Sequence, residues 1–216
     1  MPNIRMVWFD IGRVLYDHLA DELIEDLAKQ SNPALKPYEV YRKIRESKLV
    51  VEFDLGHIGT EEFGEKMQKL LGLADRQWFL ARWKRILAPN QLMWRLASSL
   101  GRNFYPMGII SNIGELHIEY LEKIISCGAI MQFRPRIYSC REGIDKPNPE
   151  IFRIALEKAN SEYPWDEELM PDECVFIDDR PENIEAARAL GWHAVPHNPA
   201  FGTNTFLKLS ELGVRI

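Results

Sequence analysis

With three cysteines in 216 residues and no C-x-x-C pair, the chain has no disulfide framework and no thiolate metal site of ordinary spacing. Cys127, Cys140 and Cys174 are an odd, well-separated set. They read as free thiols packed into a core in a reducing compartment, so a cytoplasmic location is expected. Long hydrophobic runs are missing too. No stretch approaches the roughly 20 apolar residues of a membrane span, and no apolar segment of signal-peptide length opens the sequence. A basic excess is also lacking: 27 Lys and Arg against 32 Asp and Glu give a net charge of −5, with no basic block. A nucleic-acid partner is therefore not expected. Internal repeats and low-complexity segments are absent, and no motif speaks to oligomeric state.

What remains is a composition 46% hydrophobic and 27% charged, suited to one large domain or a domain carrying an insertion. Its organising stretch is Arg5 to Leu15. An apolar run, Met6-Val7-Trp8-Phe9, too short for a helix, stops at Asp10 and continues into a turn containing Gly12. Such a run reads as a buried strand of a parallel sheet. In that kind of sheet, ligands bind at the carboxyl ends of the strands. Asp10 thus either faces a site or simply caps the turn.

From Asp17 to about Ala88 the spacing predicts four amphipathic helices and no strand. The first carries Leu19, Leu23, Ile24 and Leu27 and closes before Asn32-Pro33. The second starts at Pro37, and the third runs from Thr60 to Gly72. The fourth runs from Asp75 to Pro89 with Trp78, Phe79, Trp83 and Ile86 inward. From Gln91 onward helix and strand alternate. Strands are expected at 105–111, 136–139, 174–178 and 193–195, and helices at 91–100, 115–126, 149–159 and 181–190. Alternation of this kind predicts an α/β fold with a doubly wound parallel sheet, and the four helices before Gln91 read as an insertion behind its first strand.

Polar residues follow the apolar runs at three strand ends: Asp10, Ser111-Asn112 and Asp178-Asp179. A fourth polar feature, Asp145-Lys146-Pro147-Asn148-Pro149, leads into a helix. Each alone has a plain reading, as a turn serine, a solvated lysine or a helix cap. One edge of a parallel sheet brings all four together, and two neighbouring carboxylates call for a cation between them. Oxygen ligands beside a phosphate-binding group suit Mg²⁺.

These segments, hhhhDxGxVL, hhSN, KPxPxIF and hhhDDxxxN (h, apolar), resemble in order and spacing the four motifs of the haloacid dehalogenase superfamily, across nearly the whole chain. The helical insertion resembles the C1 cap of its subfamily I. Within it the chain is similar to the branch holding the N-terminal phosphatase domain of soluble epoxide hydrolase and bacterial sugar-1-phosphate phosphatases. The resemblance implies a Rossmann-like core over 1–16 and 90–216, a cap over 17–89, and Mg²⁺-dependent hydrolysis of a small phosphorylated substrate. Asp10 would then be the nucleophile and Lys146 would neutralise phosphoryl charge and steady it. Ser111 and the backbone N–H of Asn112 would hold phosphoryl oxygens. Mg²⁺ would be bound by Asp10, the Gly12 carbonyl and Asp179, with Asp178 behind them and Asn183 supporting the acidic loop.

One position departs from the pattern. Most phosphatases of the superfamily carry a second Asp two residues after the nucleophile, as general acid and base; here Gly12 stands there. General acid–base catalysis contributes about 10²–10⁴-fold, so a leaving group needing little protonation, such as an anomeric sugar phosphate, is expected. A C–halogen hydrolase, or a catalytically weak binding protein, are the alternatives. Asp17 is either a replacement acid or an ordinary helix-start Asp. Arg13 is a candidate for a substrate anion, and His57, in the loop 53–59, for substrate or for solvent. His193 and His197 read as surface or strand-end residues.

Overall fold

The computed structural model describes residues 2–125 and 129–216, with the side chains of residues 124 and 125 left aside. Cys127 and the expected helix end near Ser126 lie outside the described residues. The chain opens with β1 (Met6–Phe9), then β2 (Tyr16–His18), and runs through α1 (Ala20–Gln30), α2 (Pro37–Ser47), α3 (Leu49–Asp54), α4 (Thr60–Leu71) and α5 (Arg76–Trp83) to β3 (Leu87–Pro89). It continues with α6 (Gln91–Arg102), β4 (Met107–Ser111), α7 (Glu115–Tyr120), β5 (Arg136–Tyr138), α8 (Ser139–Glu142) and α9 (Pro149–Glu162). The last elements are β6 (Cys174–Asp178), α10 (Pro181–Ala189), β7 (His193–Pro196) and α11 (Thr203–Glu211).

Five strands form one parallel sheet in the order β5-β4-β1-β6-β7. The expected α/β, doubly wound parallel architecture is what the chain adopts. Sheet position explains why β1 reads as an unbroken apolar run: it is central, with helices on both sides. Val7 and Phe9 enter one hydrophobic cluster while Met6 and Trp8 enter the other, following the period-2 alternation of a strand. Close packing reaches the backbone at Gly108, opposite Trp8. A Cβ there would lie 2.4 Å from the indole, so only glycine lets β1 and β4 pair at this register.

Helix starts follow the local chemistry. Asp75 caps α5 by accepting from the Gln77 and Trp78 amides, and Asn90 caps α6 through the Met93 amide. Pro149 occupies the first turn of α9, capped by Asn148.

The insertion differs from expectation in three ways. It is bracketed by a two-stranded antiparallel ribbon, with Tyr16 opposite Pro89 and His18 opposite Leu87. Three-residue strands are too short to show an alternating pattern. A fifth helix, α3, follows Lys48, which itself adopts a left-handed conformation at φ 57° and so breaks α2 from α3. The fourth expected helix ends early, at Trp83, because residues 87–89 belong to the ribbon. Beyond β7, α11 packs back onto the sheet and buries Thr205 and Leu209.

Candidate active site

All four polar features meet at the carboxyl edge of the sheet. β1 delivers Asp10, β4 delivers Ser111, and β6 delivers Asp178 followed by Asp179. The loop before α9 inserts Lys146, which is almost fully buried. The ammonium sits between two carboxylates, 2.9 Å from Asp10 Oδ1 and 2.6 Å from Asp178 Oδ2, and also donates to the Ile110 carbonyl at 2.9 Å. Asn112 fastens that loop: its amide donates to the Lys146 carbonyl and its side-chain oxygen accepts from the Lys146 amide, both at 2.8 Å.

Asp178 is fully buried and fully partnered. Asn183 Nδ2 donates to both of its oxygens at 3.0 Å, and the Arg180 amide donates to Oδ1 at 2.8 Å. Asp179 turns outward toward Arg13, whose Nε lies 3.2 Å from Oδ2. Hydrogen bonds to a buried charge contribute about 1.5–3 kcal/mol. Replacing Asn183→Ala is therefore expected to lower unfolding free energy by about that amount, read from denaturant midpoints in EDTA. An unchanged midpoint would show that Asn183 is not holding Asp178.

Electrostatics set this cluster apart from ordinary surface acids. One carboxylate oxygen from each of Asp10, Asp178 and Asp179 lies within 4.8 Å of the others. Burial pushes the Asp10 carboxyl up to about 6; Lys146 pulls it down and Asp178 pushes it further up. Asp179 is raised for the same two reasons, burial and then Asp178. Burial works against the charge on Lys146, but Asp10 and Asp178 outweigh it and hold the ammonium above the usual lysine range. Three acids against one buried lysine and one exposed arginine leave an excess of negative charge. Hard oxygen donors in that state fit a divalent cation such as Mg²⁺.

The remaining candidates separate. Arg13 adopts φ 58° and lines the polar cavity above Asp10, together with Gly12 and Asp179. Asp17 lies exposed on the ribbon, where its carboxylate accepts from Asn90 Nδ2 at 3.2 Å. His57 is exposed and pairs with Glu52 at 3.2 Å. Neither lines the cavities described here. His197, expected at the surface or at a strand end, does directly follow β7 but is buried, with its Nδ1 2.9 Å from Thr205 Oγ1, because α11 covers it.

Several residues facing the site went unnamed in the sequence. His18, Tyr41 and Ile44 line both the polar cavity and a second, apolar one beside it, while Arg45 and Lys48 stand over the polar cavity from α2 and its end. A helix-periodic Ile44 announces core, and nothing in its spacing says that it faces a pocket.

A parallel sheet whose strand tips converge three acids and a buried lysine beneath a helical layer defines a class of protein, a hydrolase of α/β architecture with its site at the carboxyl edge of the sheet. The chain belongs to the haloacid dehalogenase-like hydrolases, whose family model it matches over residues 4–191. It is 25% identical over 200 residues to acyl-CoA dehydrogenase family member 10 of Mus musculus, covering 89% of this chain and 18% of that protein. It is 35% identical over 68 residues to the probable pseudouridine-5'-phosphatase YKL033W-A of Saccharomyces cerevisiae, covering 31% and 27%. The chain thus spans well under half the length of these curated relatives. Among solved structures it resembles a HAD family enzyme of Bacteroides thetaiotaomicron in complex with magnesium and inorganic phosphate, at TM-score 0.75 and 22% identity over 91% of this chain and 95% of that one. It also resembles a HAD-like family hydrolase from Porphyromonas gingivalis, at TM-score 0.74 and 23% identity over 99% and 100%. L-2-haloacid dehalogenase from Xanthobacter autotrophicus is more distant, at TM-score 0.58 and 18% identity over 90% and 77%. At these identities the structural likeness concerns the fold. Among the described residues, no helix is long and apolar enough to cross a membrane.

Proposed function

We propose that this chain is a Mg²⁺-dependent phosphomonoesterase acting through an aspartyl-phosphate on Asp10. The observation that carries the reading is the cluster of Asp10, Asp178 and Asp179 oxygens within 4.8 Å, with Lys146 wedged against two of them. Asp10 attacks phosphorus in line, forming a bond from its carboxylate oxygen while the ester P–O bond breaks and the leaving oxygen departs with the bonding pair. Lys146 offsets charge on the phosphoryl oxygens and keeps Asp10 ionised. Ser111 and the backbone N–H of Asn112 hold the remaining oxygens, and water then hydrolyses the acyl phosphate.

Asp10, the Gly12 carbonyl and Asp179 would hold Mg²⁺, with Asp178 orienting the shell behind them. When bound, the cation supplies screening between nucleophile and phosphate and stabilises charge in the transition state. The magnesium and phosphate complex of the Bacteroides enzyme and the phosphatase name of the yeast relative support this reading. Residues 17–89 serve as the cap and residues 1–16 and 90–216 as the core, with the ribbon as their junction. A C–halogen hydrolase has no use for a third acid and a cation.

The test is turnover of an aryl phosphate with and without Mg²⁺. Activity is expected to vanish in EDTA and return with Mg²⁺, with acid-stable, hydroxylamine-labile phosphate retained on the protein in rapid-quench samples. Halide release from a 2-haloacid that is indifferent to EDTA, without phosphate release, would replace this reading with the dehalogenase one.

A further inference from the structure

Beside the polar cavity lies a second cavity of about 240 Å³, with Gly12, His18, Ser111 and Asn112 on the shared border. Its walls are carbon: Ile11, Leu23, Ile24, Ile86, Leu87 and the Trp83 ring are among them. Because the two cavities share this border, an ester whose phosphoryl group sits at Asp10 and Lys146 has room for its organic part in the second one.

The polar side chains that reach it are almost all engaged. Both ends of the Asn112 amide are spent on the Lys146 backbone, and Ser111 bonds Asp10. His117 Nε2 sits 3.0 Å from the Trp83 carbonyl, and burial lowers its pKa to about 4, so it is neutral. Asp54 accepts from the Gly114 amide, and burial raises its carboxyl to about 7. His18 and the Tyr41 hydroxyl, both on exposed residues at the edge of the cavity, have no hydrogen-bond partner among the described residues. A sugar has more hydroxyls than these few groups at the edge can pair, and those facing the carbon walls would go unpaired, each costing about 5- to 150-fold in affinity.

A second observation is independent of the lining. Gly12 offers no proton to the leaving oxygen, which favours an ester whose alcohol is already acidic. Acidic and apolar together describe a phenol. An apolar cavity of about 150 Å³ holds benzene, so this one has room for a substituted ring. Tyr41, 57% exposed at its mouth, is placed to cover that ring.

We infer that the substrate is the phosphomonoester of a single apolar aromatic alcohol, with the ring in the cavity bounded by Gly12, Ile24, Trp83 and Ile86. The inference rests on the phosphatase reading and narrows it away from anomeric sugar phosphates.

The experiment compares kcat/KM, with Mg²⁺ present, for phenyl phosphates bearing a para methyl, ethyl or propyl group, for glucose 1-phosphate and for acetyl phosphate. The three phenols have nearly equal acidity, so only burial varies. Each added methylene is expected to raise kcat/KM about fourfold until the cavity is full, and the series to exceed glucose 1-phosphate by more than 100-fold. In Ile44→Asn, which places an amide at the cavity wall, the propyl-to-methyl ratio is expected to fall toward one. A flat para-alkyl series in the wild type, or a preference for glucose 1-phosphate, overturns the aryl assignment while acetyl phosphate turnover leaves the phosphatase reading standing. Loss of turnover on every ester, acetyl phosphate included, overturns both.

Discussion

Asp10→Asn is expected to abolish phosphoenzyme formation and lower turnover by about 10⁴–10⁶-fold, while making the metal-free protein more stable. The two effects have one cause. The carboxylate proposed to attack phosphorus is also a charge forced into a nearly buried position beside Asp178, offset by Lys146 and by a hydrogen bond from Ser111. Folding raises its pKa from 3.8 to about 6, so the folded state keeps a proton that the unfolded chain gives up within that window. Stability from this group is present below pH 3.8 and is lost as pH rises toward about 6. A shift of that size corresponds to at most about 3 kcal/mol. Asparagine is neutral throughout, so the variant loses this part of the pH dependence. Denaturant titrations in EDTA at pH 4.5 and 7.5 read the difference directly: the stability gap between variant and wild type should widen toward neutral pH. A gap that narrows instead would mean that Lys146 fully neutralises Asp10, leaving the acid cluster no need of a cation.

The strand tips were legible because a strand buried on both faces has no choice of composition. Met6–Phe9, Met107–Ser111 and Cys174–Asp178 are apolar until the sheet ends, so the first polar residue marks the edge where a site forms. Lys146 was legible from the polar and proline-rich turn around it. The insertion was harder to read because its faces depend on docking. Asp17 and His18 are neighbours on β2, and the pleat sends them to opposite sides. Asp17 pairs with Asn90, while His18 lines the cavities. A shift of one residue would exchange them, and since both are exposed, polarity in the sequence does not mark which of the two borders the cavities. His57 failed to reach the cavities for a related reason: α3 carries Phe53 inward and leaves the following turn to pair with Glu52. His197 depended on α11, whose Phe206 and Leu209 are too few to announce a helix before it is seen covering β7.

Gly12→Asp is expected to increase turnover of a primary alkyl phosphate by about 10²–10⁴-fold while changing that of an aryl phosphate little. The backbone permits the change: Gly12 is outside the left-handed region, and a Cβ built on it meets nothing within 4 Å. Its position makes the change productive, because Gly12 lines both the phosphoryl cavity and the apolar one. A carboxylic acid there stands at the border that the ester oxygen must occupy. An alkoxide leaves poorly unless protonated as the P–O bond breaks; a phenolate leaves unaided, so the acid has little left to contribute. The substitution adds a fourth carboxylate to an already negative cluster. Stability in EDTA should therefore fall, and addition of Mg²⁺ should restore more of it than in the wild type. Parallel kcat measurements on butyl and phenyl phosphate separate the possibilities. A selective gain on the butyl ester identifies the missing proton donor as what restricts this enzyme. Equal gains on both would point to metal binding as the limiting step. No gain on either would show that a group already present, with His18 the first to examine, protonates the leaving oxygen in place of the absent aspartate.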